Sequence, residues 1–300
     1  MKKALIIALI VVSALILVVG GFALYLYVSF SSTADDMLAP IDREGSSIRS
    51  EEINFEDNDP VSFLLLGLDA EEVDYGRADT IIVVTVNPGE QSIKMLSIPR
   101  DTNTELAGKG WNDKINHAYY YGGEKMAMDT VEHFLKVPID YIVTVNMDGF
   151  AEMVDAIGGI TVNNNLGFEY DGETFKKGEL ELSGKEALAF VRMRQDDPLG
   201  DSGRNDRQRQ VIEGILHEGA NLSSVTSIGS ILDAIGKNVQ TNMEFQDMID
   251  MQSYESGIHD LEQLTLSGEH GRLDGVYYYV VDELDKERVS NTLQRHLELE

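Results

Sequence analysis

The hydrophobic pattern opens with 25 uncharged residues, Ala4 to Val28. A helix rises about 1.5 Å per residue, so this stretch is long enough to cross a ~30 Å hydrocarbon core with some tilt. Lys2 and Lys3 precede it and Asp35 and Asp36 follow it. The positive-inside rule puts the N-terminus in the cytoplasm and the remainder outside. Cleaved signal peptides carry an apolar region of only about 7–15 residues. An uncleaved anchor is therefore expected, with Ser32-Thr33-Ala34 as the cleavage-like alternative. Residues 29–60 are polar and read as a spacer lifting a domain off the membrane.

Beyond the spacer the period changes repeatedly. Val61 to Gly67 is almost wholly apolar and predicts a strand buried on both faces. Ile81–Val86 and Ile93–Ile98 predict two more strands, joined as a hairpin by Asn87-Pro88-Gly89-Glu90. Met128, Val131 and Leu135 fall on one face of a helix over 124–135. Tyr141–Val145 is a β-branched strand. Asp148 is the expected N-cap of a helix that Gly158-Gly159 stops. Ile160–Val162 is a strand, and Asp171-Gly172 marks another hairpin. Ser183 with Glu186 forms a capping box for a helix to Val191. Residues 204–218 form a periodic helix, with helical stretches near 222–235 and 244–256. Val276–Val281 is a last strand before a polar terminal helix. Strands and helices alternate without repeats. The fold class predicted is α/β: one domain with a central mixed β-sheet covered by helices on both faces, plus one N-terminal transmembrane helix. The expected division is 1–3 cytoplasmic tail, 4–28 anchor, 29–60 extracellular spacer and 61–300 extracellular domain.

Composition narrows the chemistry. Hydrophobic residues make up 43 % and aromatics 8 %, enough for a core. The absence of cysteine excludes disulfides and thiolate sites. A net charge of −28 repels nucleic acid, so none is expected as a partner. No phosphate-loop, zinc-helix or nucleophile-elbow motif occurs. His117 stands alone and reads as structural, and Tyr119-Tyr120-Tyr121 reads as core and rim packing, with sugar stacking as the alternative.

Two clusters remain. Asp69 follows strand 61–67 and Asp79 precedes strand 81–86. If those strands are antiparallel neighbours, both carboxylates share one sheet edge. The hairpin returns strand 93–98 to that edge, where Arg100 emerges, and Arg77 belongs there too. Two hard oxygen ligands suit Mg²⁺ completed by phosphate and water. Loop carboxylates paired with the arginines are the alternative. The second cluster is Arg192, Arg194, Arg204, Arg207 and Arg209, five of twelve arginines within 18 residues. Arg204, Arg207, Gln208, Val211 and Ile215 share one helical stripe. Its polar end is the helix's first turn, and guanidinium forks match phosphate oxygens. Surface ion pairs with Asp196, Asp197, Asp201 and Asp206 are the alternative. Arg209 points off the stripe and is assigned to surface pairing, tolerant of substitution.

Taken in order, Leu64-Leu65-Leu66-Gly67-Leu68-Asp69, Gly76-Arg77-Ala78-Asp79-Thr80, Ser97-Ile98-Pro99-Arg100-Asp101, Lys114-Ile115-Asn116-His117-Ala118-Tyr119 and Gly203-Arg204-Asn205-Asp206-Arg207-Gln208 resemble blocks of the LytR–CpsA–Psr family. So do Val137-Pro138-Ile139-Asp140-Tyr141, Asp155-Ala156-Ile157-Gly158-Gly159-Ile160 and the run from Leu182 through Arg192-Met193-Arg194. The likeness covers nearly the whole chain. It implies a single-pass type II membrane enzyme of the Gram-positive cell surface. Such an enzyme moves an anionic glycopolymer, wall teichoic acid foremost, from a polyprenyl-pyrophosphate carrier to a peptidoglycan hydroxyl, with hydrolysis as a side activity. It also implies an apolar tunnel for the lipid, with Mg²⁺ (or Mn²⁺) at its mouth. Carried onto this sequence, Asp69 and Asp79 are the metal-linked carboxylates, and with Arg100 the catalytic residues. Arg77, Arg100, Arg192, Arg194, Arg204, Arg207 and Gln208 grip the pyrophosphate. Some relatives have Gln where this chain has Arg209. A non-catalytic polyprenyl-pyrophosphate-binding regulator or scaffold is the competing function.

Overall fold

A computed structural model describes residues 24–299 apart from 40, 44, 50–51, 70–75, 195–196, 221–227, 253 and 255–259. Its centre is a six-stranded sheet in the order β11-β6-β1-β2-β3-β12. The strands are β1 (Val61–Leu68), β2 (Ala78–Asn87), β3 (Ser92–Ser97), β6 (Tyr141–Asn146), β11 (Val239–Thr241) and β12 (Asp260–Leu264). β1 pairs antiparallel with β2 and parallel with β6, so the sheet is mixed as expected. The hairpin from β2 to β3 forms where Asn87-Pro88-Gly89-Glu90 predicted it.

Side chains alternate across this sheet. Leu64, Leu66, Leu68, Ile81, Val83 and Ile142 bury one face against α2 (His117–Leu135) and α8 (Glu283–His296). On the other face Phe63 and Val86 pack with Phe55, Met243 and Tyr254 at one end. A second layer stands beyond that face: α3 (Met147–Ala156), α4 (Gly184–Arg192), α5 (Asp201–Ala220), α6 (Ile228–Asn238) and the strands β7 (Ile160–Asn164), β8 (Phe168–Tyr170), β9 (Glu173–Phe175) and β10 (Gly178–Leu182). It has its own core of Val154, Val162, Phe168, Phe175, Phe190 and Met193.

Local signals explain most boundaries. Ser183 caps α4, and the capping box with Glu186 is closed in both directions. The cap of α3 is Asn146, whose side chain accepts from the Gly149 N–H at 2.6 Å, so Asp148 lies inside the first turn instead. Gly158 and Gly159 end that helix at φ +95° and +97°, where a side chain would be strained. The antiparallel pair β4 (Asn103–Glu105) with β5 (Asn112–Lys114) was not foreseen, nor was β13 (Gly268–Leu273), which pairs with the expected last strand β14 (Val276–Val281).

The described part of 29–60, read from the sequence as a spacer lifting the domain off the membrane, is docked on the domain. Residues 24–37 are helical (α1). Ala34 is buried, and Tyr27 meets Phe245 of α7 (Phe245–Asp250) edge-on at 5.5 Å. The Ala39 N–H donates to the Thr241 carbonyl at 2.8 Å. Arg43 donates to Asp129 (2.9 Å) and to the Ile139 carbonyl (2.7 Å), and lies 2.6 Å from Glu132. Its polar sequence concealed this because the anchoring runs through single ion pairs and backbone bonds. Of the expected span 4–28, residues 4–23 lie outside the described part. Among the described residues no helix is long and apolar enough to cross a membrane.

His296 clasps α8 to the β2–β3 hairpin. Its buried ring bonds Thr85 Oγ1 through Nδ1 (2.7 Å) and Ser92 Oγ through Nε2 (2.9 Å). Burial pushes the imidazole below its ordinary range, helped by Lys94 and opposed by Glu90 and Glu262. The folded chain thus holds His296 neutral, and the unfolded chain takes up the proton first. Stability from this site is complete above about pH 6.5 and is lost as pH falls below it. The urea midpoint is expected to drop between pH 7.5 and 5.5, and to drop less in His296→Gln. Equal declines in both proteins would clear His296 of the effect.

Candidate active site

Between the sheet and the second layer lies a cavity of about 590 Å³. Leu65, Ile82, Val143 and Val145 line it from the sheet, Phe150 and Met153 from α3, and Val211, Ile212 and Ile215 from α5. This apolar slot sits where the two cores fail to meet. Its lining also includes six charged residues, Asp69, Asp79, Arg100, Arg192, Arg194 and Arg204, with the neutral amide of Gln208 beside them.

The sheet register explains the charged end. Leu68 pairs with Ala78 across an irregularity between Gly67 and Leu68, and the Asp69 N–H donates to the Arg77 carbonyl at 3.1 Å. Asp69 and Asp79 therefore leave neighbouring strands at one edge. The Ile98 N–H bonds the Ile81 carbonyl at 2.9 Å, which delivers Arg100 to the same place. Arg100 Nη1 is ion-paired with Asp79 Oδ2, and Asn116 Nδ2 reaches Asp79 Oδ1 at 3.4 Å. A Cβ at Gly67 would stand 3.0 Å from Thr80 Cβ, so Thr80 would have to give way slightly to any side chain there.

Helix α5 supplies the opposite wall. Arg204, Gln208, Val211 and Ile215 recur at 4, 3 and 4 residues and form one stripe, polar at its start and apolar further on. Arg204 is buried, with Nη2 3.5 Å from the Asp79 carbonyl. Arg192 and Arg194, exposed at the end of α4, complete the ring.

The arrangement gathers seven of the nine sequence-derived candidates. Arg77 is exposed and does not line the cavity. Arg207 points elsewhere: it donates to the Phe190 carbonyl (2.9 Å), to the Met193 carbonyl and to Asp197 (2.5 Å). Its guanidinium lies 5.3 Å and 5.9 Å from the Phe168 and Phe190 ring centres. It holds protein rather than facing the cavity. The assignment of Arg209 to the surface also needs correction. Arg209 is ion-paired with Asp206, as the charge pattern suggested, but it is buried, donating to Gln263 at 2.9 Å and Ser97 at 3.4 Å. Its neighbours on β3 and β12 are remote in sequence, so helical spacing could not reveal them. Sequence reasoning missed Asn116, which the Asn116 N–H to Arg100 carbonyl bond (3.3 Å) sets beside Arg100 and which no spacing pattern marks.

An α/β domain with a deep apolar slot that opens onto arginines and carboxylates is suited to a long hydrocarbon chain bearing a phosphate group. The chain belongs to the LytR_cpsA_psr family, which matches residues 24–295. Curated relatives include the polyisoprenyl-teichoic acid–peptidoglycan teichoic acid transferase TagU of Halalkalibacterium halodurans, 46 % identical over 303 residues and covering 100 % of both chains. TagU of Bacillus subtilis is 46 % identical over 299 residues, covering 99 % of this chain and 97 % of its own. The crystal structure of B. subtilis TagU superposes with a TM-score of 0.66 at 49 % identity, over 81 % of this chain and 98 % of that one. TagT bound to LI-WTA superposes with a TM-score of 0.74 at 31 % identity, over 87 % and 100 %.

Arg207 and Asp197 are a buried pair, their side chains 5 % and 4 % exposed. Arg207→Ala leaves Asp197 without its cation and is expected to cost about 3–5 kcal/mol of stability. Arg194→Ala, at an exposed position, should stay within about 0.5 kcal/mol. Urea unfolding compares the two, and a mild Arg207→Ala would refute the structural role.

Proposed function

We infer that this chain is a transferase that moves teichoic acid from a polyisoprenyl carrier to peptidoglycan. The observation that carries the reading is the continuity of apolar slot and charged mouth. The lipid chain occupies the slot among Ile82, Val145, Phe150 and Ile215. Its pyrophosphate then comes to rest among Arg100, Arg192, Arg194 and Arg204. Relatives with this activity in their names match the chain end to end.

In the reaction a peptidoglycan hydroxyl attacks the polymer-side phosphorus, and the bond from that phosphorus to the bridging oxygen breaks. The products are a phosphodiester-linked polymer and polyprenyl phosphate. The protein's contribution is positioning and charge stabilisation. The arginines neutralise charge on the leaving phosphate. Arg100 and Asn116 hold Asp79 on both carboxylate oxygens and so fix its orientation at the mouth. Either Asp69 or Asp79 receives the hydroxyl proton, and a carboxylate engaged with a metal ion does not serve as that base.

We propose Mg²⁺ or Mn²⁺ as the accompanying ion. Mg²⁺ commonly takes one or two carboxylates, completed by substrate phosphate and water. Asp69 and Asp79, ending adjacent strands at one mouth, fit that donor set and would hold it. Among the described residues no group of three acidic, histidine or cysteine side chains is assembled, so the phosphate would complete the shell. When bound, such an ion offsets pyrophosphate charge. The membrane anchor is also part of the proposal: it rests on the uncharged run Ala4–Val28 behind Lys2 and Lys3, and it places the domain outside the cell.

The full chain in liposomes, given labelled lipid-linked teichoic acid and peptidoglycan oligomers, is expected to form a phosphodiester-linked product with Mg²⁺ and none with EDTA. Arg204→Ala and Asp79→Asn should each lower the rate roughly tenfold or more while the domain stays folded. Tight carrier binding without product, whatever the metal, would instead mark a binding protein.

A further inference from the structure

The segments on either side of Asn116 carry exposed aromatic rings that the site does not use. Trp111 is 51 % exposed, Tyr120 66 % and Tyr121 43 %, whereas adjacent Tyr119 is 5 % exposed and belongs to the core. The tyrosine triplet thus divides between packing and surface. Tyr120 and Tyr121 meet edge-on with ring centres 5.3 Å apart, and Tyr121 meets His117 edge-on at 6.1 Å. Lys109 Nζ lies 5.7 Å from the centre of Trp111 and 5.3 Å from that of Tyr121, joining the two rings into one patch.

The patch is rigidly mounted. The Leu106 N–H donates to the Trp111 carbonyl at 3.2 Å, and the Lys109 N–H to the Leu106 carbonyl at 3.0 Å, with Leu106 itself fully buried. His117 bonds Asp113 of β5 at 2.9 Å. Gly123, at φ +60° and ψ −152°, breaks α2 just after the rings, and that conformation is essentially restricted to glycine. The turn His117–Tyr121 therefore departs at an angle from the rest of α2.

The first turn of α2, which carries Tyr120 and Tyr121, begins next to a residue that reaches the mouth. His117 follows Asn116, whose side chain reaches Asp79. An attacking hydroxyl must arrive at that carboxylate, while the polymer that carries it is far longer than the mouth is wide. Its neighbouring sugars must lie on adjoining surface. Sugar rings present apolar C–H faces with slight positive charge, which complement the negative face of an aromatic ring. An anionic polymer fits less well, since Asp113 borders the patch through its bond to His117, and Lys109 is already engaged over the Trp111 and Tyr121 rings.

Resting on the transferase reading, we propose that Trp111, Tyr120 and Tyr121, braced by Lys109, form the acceptor subsite on which amino-sugar rings of the peptidoglycan glycan stack. Trp111 is the only tryptophan in the chain, so its fluorescence reports on this surface alone. The full chain in detergent would be titrated with soluble, lipid-free peptidoglycan glycan oligomers, and separately with poly(glycerol phosphate). A saturable shift in Trp111 emission is expected with glycan, and its midpoint should rise in Tyr121→Ala, which keeps the reporter. In the transfer assay Trp111→Ala should raise KM for the acceptor roughly two- to tenfold, with little change in kcat or in carrier binding, and Trp111→Phe should recover most of the loss. No emission change with glycan, or an unchanged acceptor KM in both alanine variants, overturns the subsite. A response to poly(glycerol phosphate) alone overturns it in favour of the donor polymer. A glycan-induced shift in a protein that forms no product would sustain the subsite while removing the transferase reading.

Discussion

Arg207 ties the end of α4 to the first turns of α5. Its guanidinium bonds two carbonyls at the exit of α4 and one carboxylate in the loop that follows. Those contacts fix the segment bearing Arg192 and Arg194 against the helix bearing Arg204 and Gln208. Gly203 belongs to the same arrangement: a Cβ there would lie 2.0 Å from Asp197 Oδ2 and would force the carboxylate off Arg207. A cationic mouth repels itself and must be held from behind. Here a further arginine does so, with its charge satisfied by protein oxygens instead of by ligand. Preorganised charge acts on a transition state only if it need not move when the reaction occurs. Arg207 therefore serves the chemistry by not facing it.

The slot survives because the second layer is supported independently of the sheet. Protein interiors normally close to a packing density that leaves few voids larger than water. Here the second layer has its own apolar core, and its helices meet at close range. Gly184 lies so near α3 that a Cβ would come within 2.0 Å of the Ala151 carbonyl oxygen. With α3 and α4 locked together, the layer cannot settle onto Ile82 and Val145. The apolar walls then lack partner atoms, a cost that any apolar chain bound there would remove. Emptiness between two cores is thus a property of how the layers brace themselves.

Much of this was legible in the chain. Period-two and unbroken apolar runs identified β1, β2, β3 and β6, and the turn at Asn87-Pro88-Gly89-Glu90 fixed the register that brings Asp69, Asp79 and Arg100 together. Helical spacing identified the α5 stripe, yet it admitted Arg207 as readily as Arg204. Positions 204 and 207 are close in azimuth, and only the neighbouring Phe190 and Met193 carbonyls decide which one turns to protein. Arg209 was misread for a related reason, since its partners Gln263 and Ser97 come from strands far along the chain. The strands at 260–264 and 268–273, Asp-Leu-Glu-Gln-Leu and Gly-Glu-His-Gly-Arg-Leu, carry too few apolar residues to announce themselves. They are specified by what they pair with, and pairing is absent from local periodicity.

The acidic surface gives the arginine mouth a second role. A body with a net charge of −28 repels a polyanionic donor over most of its surface. Attraction is confined to the place where arginines outnumber carboxylates. Arg192 and Arg194 are exposed and Arg204 is buried, so under the proposed function the first two would meet approaching phosphates and the third would act only on a group already inside. Salt screens long-range repulsion between exposed charges far more than contacts at short range within a partly buried site. On the proposed function, the grip on pyrophosphate is therefore robust while the orienting field is adjustable. That combination favours entry by the lipid-linked end of the donor, because the hydrocarbon enters a slot that no charged segment of the polymer can occupy.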